Sequence, residues 1–141
     1  LYKGKIPREY LINEGELERW HYEKGRKEKP KTAPDGTPYI WSEGAIEFPD
    51  ALDKPSRTII TSEGGRSVSR IRHVYNIKNQ FRRLLPIEIE QLNMFPKDFT
   101  KHDSIIDSRR VFLMGNAIVV GIVEKIGQSL SNKLFKIQKG I

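Results

Sequence analysis

Apolar residues fall into two rhythms along this chain. From Ile118 onward they return every three or four positions, at Ile118, Val119, Ile122, Val123, Ile126, Leu130, Leu134 and Ile137. That spacing predicts one long amphipathic helix opened by Gly115-Asn116, with Glu124, Lys125, Gln128, Lys133 and Lys136 mostly off the apolar stripe. Gly121 and Gly127 weaken it by up to about 1 kcal/mol each relative to alanine and would fit close packing against a neighbour. Upstream, Pro86 suits a first helical position, where its missing N–H is no loss. Ile87, Ile89, Leu92 and Met94 follow until Pro96 stops a helix of about ten residues. A loop over Lys97–Ser104 leads to a second short helix around Ser108–Leu113.

Before Pro86 the rhythm shortens to single β-branched or aromatic runs between turns. Arg57-Thr58-Ile59-Ile60-Thr61, bounded by Pro55 and Gly64-Gly65, is the clearest predicted strand. Ile71 to Ile77 alternates in the manner of a half-buried strand, and Pro38–Trp41 reads as a short one after the Asp35-Gly36-Thr37-Pro38 turn. Ala45–Pro49 is extended, Asp50–Pro55 turns, and Gly64–Ser69 is a flexible loop. Residues 1–32 are polar, with a short helix or strand pair over Glu14–Tyr22, and Lys24–Asp35 reads as a loop. No internal repeat is visible. The expected fold class is therefore α+β: a small β-rich module over residues 1–81, then a short helical segment over 82–141 ending in the long amphipathic helix. That helix has few apolar partners in the chain and is expected to dock on something else.

Composition narrows the chemistry. At 141 residues the chain suits one domain, or one small domain plus an appendage. It has no cysteine, which excludes disulfides, thiolate metal sites and a cysteine nucleophile. His21, His73 and His102 are scattered, so no metal site is expected. No unbroken apolar run approaches the roughly 18 residues of a membrane span, so no membrane partner is expected. The chain opens Leu1-Tyr2-Lys3, with neither Met nor a signal-peptide pattern, and is expected to be a piece of a longer protein.

The net charge of +7 is concentrated. Residues 33–53 hold five acids and no base, whereas residues 54–83 hold eight bases against one acid, Glu63. A clustered basic stretch points to nucleic acid, with a solvated basic face as the alternative. Arg57, Arg66, Arg70 and Arg72 lie in this stretch. An arginine fork bonds bidentately to guanine in the major groove, and equally suits phosphate. The sequence does not say which of the four would reach bases. Thr58, Thr61 and Ser62 have hydroxyls for bases or backbone, or serve only as strand residues. Trp20 and Trp41 are expected in the small core rather than stacked on DNA, and Lys24–Lys31 either tracks phosphates or is a charged loop.

Two stretches add a resemblance. Arg82-Arg83-Leu84-Leu85-Pro86-Ile87-Glu88, with Leu92 and Phe95-Pro96 behind it, and Met114-Gly115-Asn116-Ala117-Ile118-Val119-Val120 resemble the last two motifs of the DNA (cytosine-5) methyltransferases, in the same order. Phe48-Pro49-Asp50 and Asp53 to Gly64, with its Thr58-Ile59 pair, resemble the target-recognition domain of the bacterial restriction-modification members. Leu85 departs from the pattern, which usually has Thr or another polar residue there, and this puts the cap of the following helix in doubt.

The resemblance implies a C-terminal segment, recognition domain plus two late motifs, of an S-adenosylmethionine-dependent enzyme expected in the bacterial cytoplasm. It implies that duplex DNA is the partner and that the target cytosine is flipped toward a catalytic half lying N-terminal to Leu1. That half would carry the cysteine that attacks cytosine C6, so this chain alone is expected to be inactive. Asn116 and Ala117 match positions beside S-adenosylmethionine, and Arg82 and Glu88 match a junction between recognition and catalytic parts. A GC-rich target follows from the arginines and the bacterial likeness. The alternative is a free-standing sequence-specific DNA-binding module with no enzymatic role. A helical segment deprived of its partner would self-associate through its apolar face.

Overall fold

The computed structural model describes residues 2–138 and shows an α+β fold. Its elements are α1 (Glu14–Lys24), β1 (Lys27–Thr32), β2 (Pro38–Glu43), β3 (Tyr75–Ile77), β4 (Gln80–Arg82), α2 (Pro86–Leu92), α3 (Asp107–Gly115) and α4 (Val120–Gln138). The strands form two separate antiparallel hairpins, β1–β2 and β3–β4. Among the described residues two compact units form, one from residues 4–57 and 65–84, the other from residues 2–3, 58–64 and 85–138.

In the first unit, an aromatic stack organises the core. The Phe48 ring lies parallel to Trp20 at 6.4 Å between centroids and to Phe81 at 5.9 Å, and meets the edge of His21 at 4.7 Å. Tyr10, Val74, Tyr75 and Leu84 are buried in the same unit. Lys78 and Asn79 turn the β3–β4 hairpin with φ of 52° and 62°, the left-handed pair of a two-residue turn. In the second unit α2 packs on α3, burying Leu85, Ile89, Val111 and Met114. Leu85 cannot accept a capping bond, but the Glu88 carboxylate reaches back to the Leu85 N–H at 3.0 Å. Half of a capping box thereby replaces the missing hydroxyl.

Several expectations need correction. Arg57–Thr61 is not a strand: its backbone is irregular, and no strand pairs with it. β-branched residues fit a pleated, half-buried surface, yet here Ile59 is buried within the second unit without a ladder partner. Of Ile71–Ile77 only Tyr75–Ile77 pairs, because His73, Val74 and Tyr75 are buried in succession and break the alternation. Lys24–Asp35 is not a loop; it holds the end of α1 and all of β1. That ribbon has little buried face, so no apolar alternation marks it, and Pro30 is tolerated on an edge strand. The helix starting at Pro86 has seven residues, and Met94 turns out of it with φ of 62°.

The last helix does not open at Gly115-Asn116. Gly115 closes α3, and α4 begins at Val120. Buried Asn93 fixes this break: its Nδ2 donates to the Met114 carbonyl and its own carbonyl accepts from the Val120 N–H, each at 3.0 Å. Judged by average hydropathy, residues 107–138 do contain a stretch long and apolar enough to cross a membrane. The turn at 116–119, with Glu124 and Lys125 beyond it, interrupts that stretch. Along α4 only Gly121 is buried, and Ile126 is 62% exposed.

Candidate nucleic-acid interface

Asp50 organises the arginine-rich part of the first unit. It is 8% exposed and follows Pro49 in the turn after the aromatic stack. Its Oδ1 accepts from Arg57 Nε at 2.7 Å and its Oδ2 from the Val74 N–H at 2.7 Å, while Lys24 Nζ stands 3.7 Å from Oδ2. Burial pushes the Asp50 carboxyl up, but the Arg57 and Val74 hydrogen bonds and the Lys24 charge outweigh it, so the group titrates below its usual range. Arg57 goes on to donate to the carbonyls of Ile71 at 2.9 Å and Arg72 at 3.2 Å, and Lys24 also donates to the Arg72 carbonyl.

The other arginines divide by what holds them. Arg70 pairs with Glu43 at 2.8 Å and donates to the carbonyls of Glu23, Gly25 and Gly44, which ties the base of the β1–β2 hairpin to the 65–72 loop. Arg72 donates to Ser67, and its guanidinium fills the space where a Gly65 side chain would stand. Arg83 donates to the carbonyls of Gly65 and Glu9 over the Tyr10 ring, and desolvation lowers its pKa. Arg66 is different: its side chain is 76% exposed and pairs with Glu9 at 3.8 Å. So Arg57, Arg70 and Arg72 brace the loop from within, and Arg66 is exposed at its surface.

The remaining candidates fall elsewhere. Thr58, Thr61 and Ser62 are exposed and belong to the second unit, with Asn116 and Ala117. There Gly64 abuts Ser108 and Val111. Gly115 lies against the Ile60–Thr61 backbone so closely that a Cβ has no room. The Thr-Ile segment therefore sits beside the Gly-Asn-Ala turn. Gly115→Ala is expected to cost about 1–3 kcal/mol, because the obstacle is backbone rather than a movable side chain; urea titration of both chains measures it. Asn116 is exposed and its Nδ2 donates to the Phe112 carbonyl at 2.9 Å. Glu88 is buried, accepting from the N–H groups of Tyr2 at 2.8 Å and Leu85. Arg82 is buried in β4 and donates to the Arg83 carbonyl at 3.0 Å. The sequence marks Asp50 only as a turn residue within the Phe48-Pro49-Asp50 likeness and Asn93 only as part of a helix. A buried role for either has no local signature.

The C-5 cytosine-specific DNA methylase family profile matches residues 5–132. The chain belongs to this family. The methylase chain is also 37% identical over 121 residues to the type II methyltransferase M.Sau3AI of Staphylococcus aureus, covering 86% of this chain and 28% of that relative. It thus spans little more than a quarter of the length of the methyltransferase it matches. No solved structure matches the methylase chain.

Proposed function

We propose that this chain is the target-recognition and C-terminal part of a DNA (cytosine-5) methyltransferase, reading duplex DNA while a separate catalytic portion methylates a flipped cytosine at C5. The observation that carries this reading is the family match across nearly the whole of a chain that has no cysteine. The thiolate that such chemistry uses has to be supplied from elsewhere in the enzyme, so the chain alone is inactive. The basic β-rich module of residues 1–81 is the DNA reader, with Arg66 and its loop as the base-contacting element. Arg57, Arg70 and Arg72 act as positioning residues for that loop. Residues 82–141 are the part that packs on the catalytic portion. The exposed stripe of α4 supports this, and Arg82 and Glu88 stiffen the two sides of the 84/85 crossing.

S-adenosylmethionine supplies the methyl group when bound. The exposed Asn116 carboxamide, anchored to the Phe112 carbonyl, and half-buried Ala117 fit one polar edge of such a site. Thr61 and Ser62 lie in the same unit and are suited to bonding DNA or backbone nearby. The enzyme's expected location is the bacterial cytoplasm.

Selection from a random duplex pool at about 50 and 200 mM salt tests the reading, since phosphate attraction alone collapses over that range. Enrichment of one short site containing G·C pairs is expected. Arg66→Ala is expected to weaken that site about ten- to hundred-fold and to relax one base position. Binding without any enrichment would refute base reading by this chain and leave phosphate attraction alone.

A further inference from the structure

The β1–β2 hairpin has a sided chemistry that its sequence conceals. Antiparallel pairing sets Lys27 opposite Glu43, Lys29 opposite Trp41 and Lys31 opposite Tyr39. Residues directly opposite share a face, and alternate residues share it along a strand. One face therefore carries Lys27, Lys29, Lys31, Tyr39, Trp41 and Glu43; the other carries Glu28, Pro30, Thr32, Pro38, Ile40 and Ser42. The two charges at the foot of the cationic face are internally matched, Lys27 by Glu23 and Glu43 by Arg70. Further out, Lys29 and Lys31 are exposed, and among the described residues neither has a carboxylate partner. The Lys31 ammonium stands 4.6 Å from the centroid of the Trp41 ring, which holds that charge over the face. Tyr39 is 45% exposed beside it.

We infer that this face of the ribbon is a second DNA-contacting surface, separate from the 65–72 loop, which grips the phosphates of a duplex through Lys29 and Lys31. The inference rests on the DNA-reading function proposed above. Lysines two apart on a strand are separated by about 6.6–6.8 Å, so they can serve two successive charges on a polyanion. Tyr39 adds a hydroxyl donor of the kind that bonds phosphate oxygens. A two-stranded ribbon is also an element that the major groove admits. Arg70 links the two surfaces mechanically: it pairs with Glu43 at the ribbon's foot and is itself part of the loop. The hairpin contributes phosphate grip and register, and the loop contributes base choice.

The test is the salt dependence of duplex affinity for the full chain, compared with Lys29→Gln/Lys31→Gln and with Lys125→Gln/Lys133→Gln, which removes the same charge from α4. The hairpin pair is expected to lose on the order of fifty-fold in affinity at 0.1 M salt and to flatten the slope of log K against log salt by about 2, equally for every sequence. The α4 pair is expected to change neither by more than about a third as much. Equal losses in both pairs would overturn the inference, since the effect would then be net charge. An unchanged hairpin variant would also overturn it. If the unmodified chain bound no duplex at all, the DNA-reading function would fall and the hairpin inference with it.

Discussion

Asp50→Ala is expected to destabilise the unit of residues 4–57 and 65–84 by about 3–5 kcal/mol, the cost of breaking a buried ion pair from one side. Lys24 is 1% exposed, and with Asp50 gone its ammonium and the Arg57 guanidinium both lose the carboxylate they share. The Val74 N–H, which donates to Asp50 Oδ2, loses a buried acceptor as well. Denaturant unfolding followed by near-UV circular dichroism of the aromatic stack measures the loss. Asp50→Asn is expected to fall between the two, since it keeps an acceptor and removes the charge. Because Arg57 and Lys24 both reach the 71–72 backbone, the same substitution is expected to loosen the loop that carries Arg66. A loss of sequence preference at a temperature where the variant is still folded would show that the anchor matters to recognition beyond stability.

Glu90→Ala is the second large effect, about 3 kcal/mol, and it strikes the other unit. Glu90 is fully buried in α2. Its Oε1 accepts from Arg110 at 2.9 Å, from the Thr100 N–H at 3.0 Å and from the Thr100 hydroxyl. Arg110 keeps Asp98 at 3.3 Å and Asp107 at 3.5 Å, which holds the cost at the lower end for a buried pair. Replacing both partners, Glu90→Leu with Arg110→Met, is expected to cost less than the single change, because no buried charge is left unanswered. Burial raises the Glu90 pKa, but the Thr100 and Arg110 hydrogen bonds outweigh it and hold the carboxyl low, as at Asp50. A carboxyl depressed in the folded state stabilises fully above its ordinary range, near pH 4, and the contribution disappears as the pH falls through the lowered value. Stability is therefore expected to be flat at neutral pH and to drop below about pH 4, with a shallower drop in both alanine variants.

What was legible in the sequence was whatever a single segment decides by itself. The stripe from Ile118 to Ile137 announced α4, and Pro86 with Pro96 bracketed α2. The order of the late motifs pointed to the methylase family before any geometry was known. What stayed hidden depended on distant partners. Arg57–Thr61 has the composition of a strand, but no neighbouring strand comes alongside it. The β1–β2 ribbon has the composition of a loop, yet its backbone finds partners further along the chain, from Thr32 opposite Pro38 near the turn to Lys27 opposite Glu43 at its foot. Three of the four candidate arginines are occupied by carbonyls and carboxylates up to 47 positions away, and no local pattern records that. Arg66 looks like the others in the sequence and differs only because nothing folds over it.

The chain passes between its two compact units at 3/4, 57/58, 64/65 and 84/85, and this has a practical consequence for exchanging parts between relatives. A chimera made by one crossover, whether by recombination in nature or by splicing in the laboratory, would transplant half of a unit and leave its other half behind. Grafting the Arg66 loop and hairpin of one methylase onto another requires residues 4–57 and 65–84 to travel as a set, with the host keeping its own 58–64 strap against Gly115. Joints placed at these four positions should yield folded hybrids where a single cut near residue 60 or 70 would not.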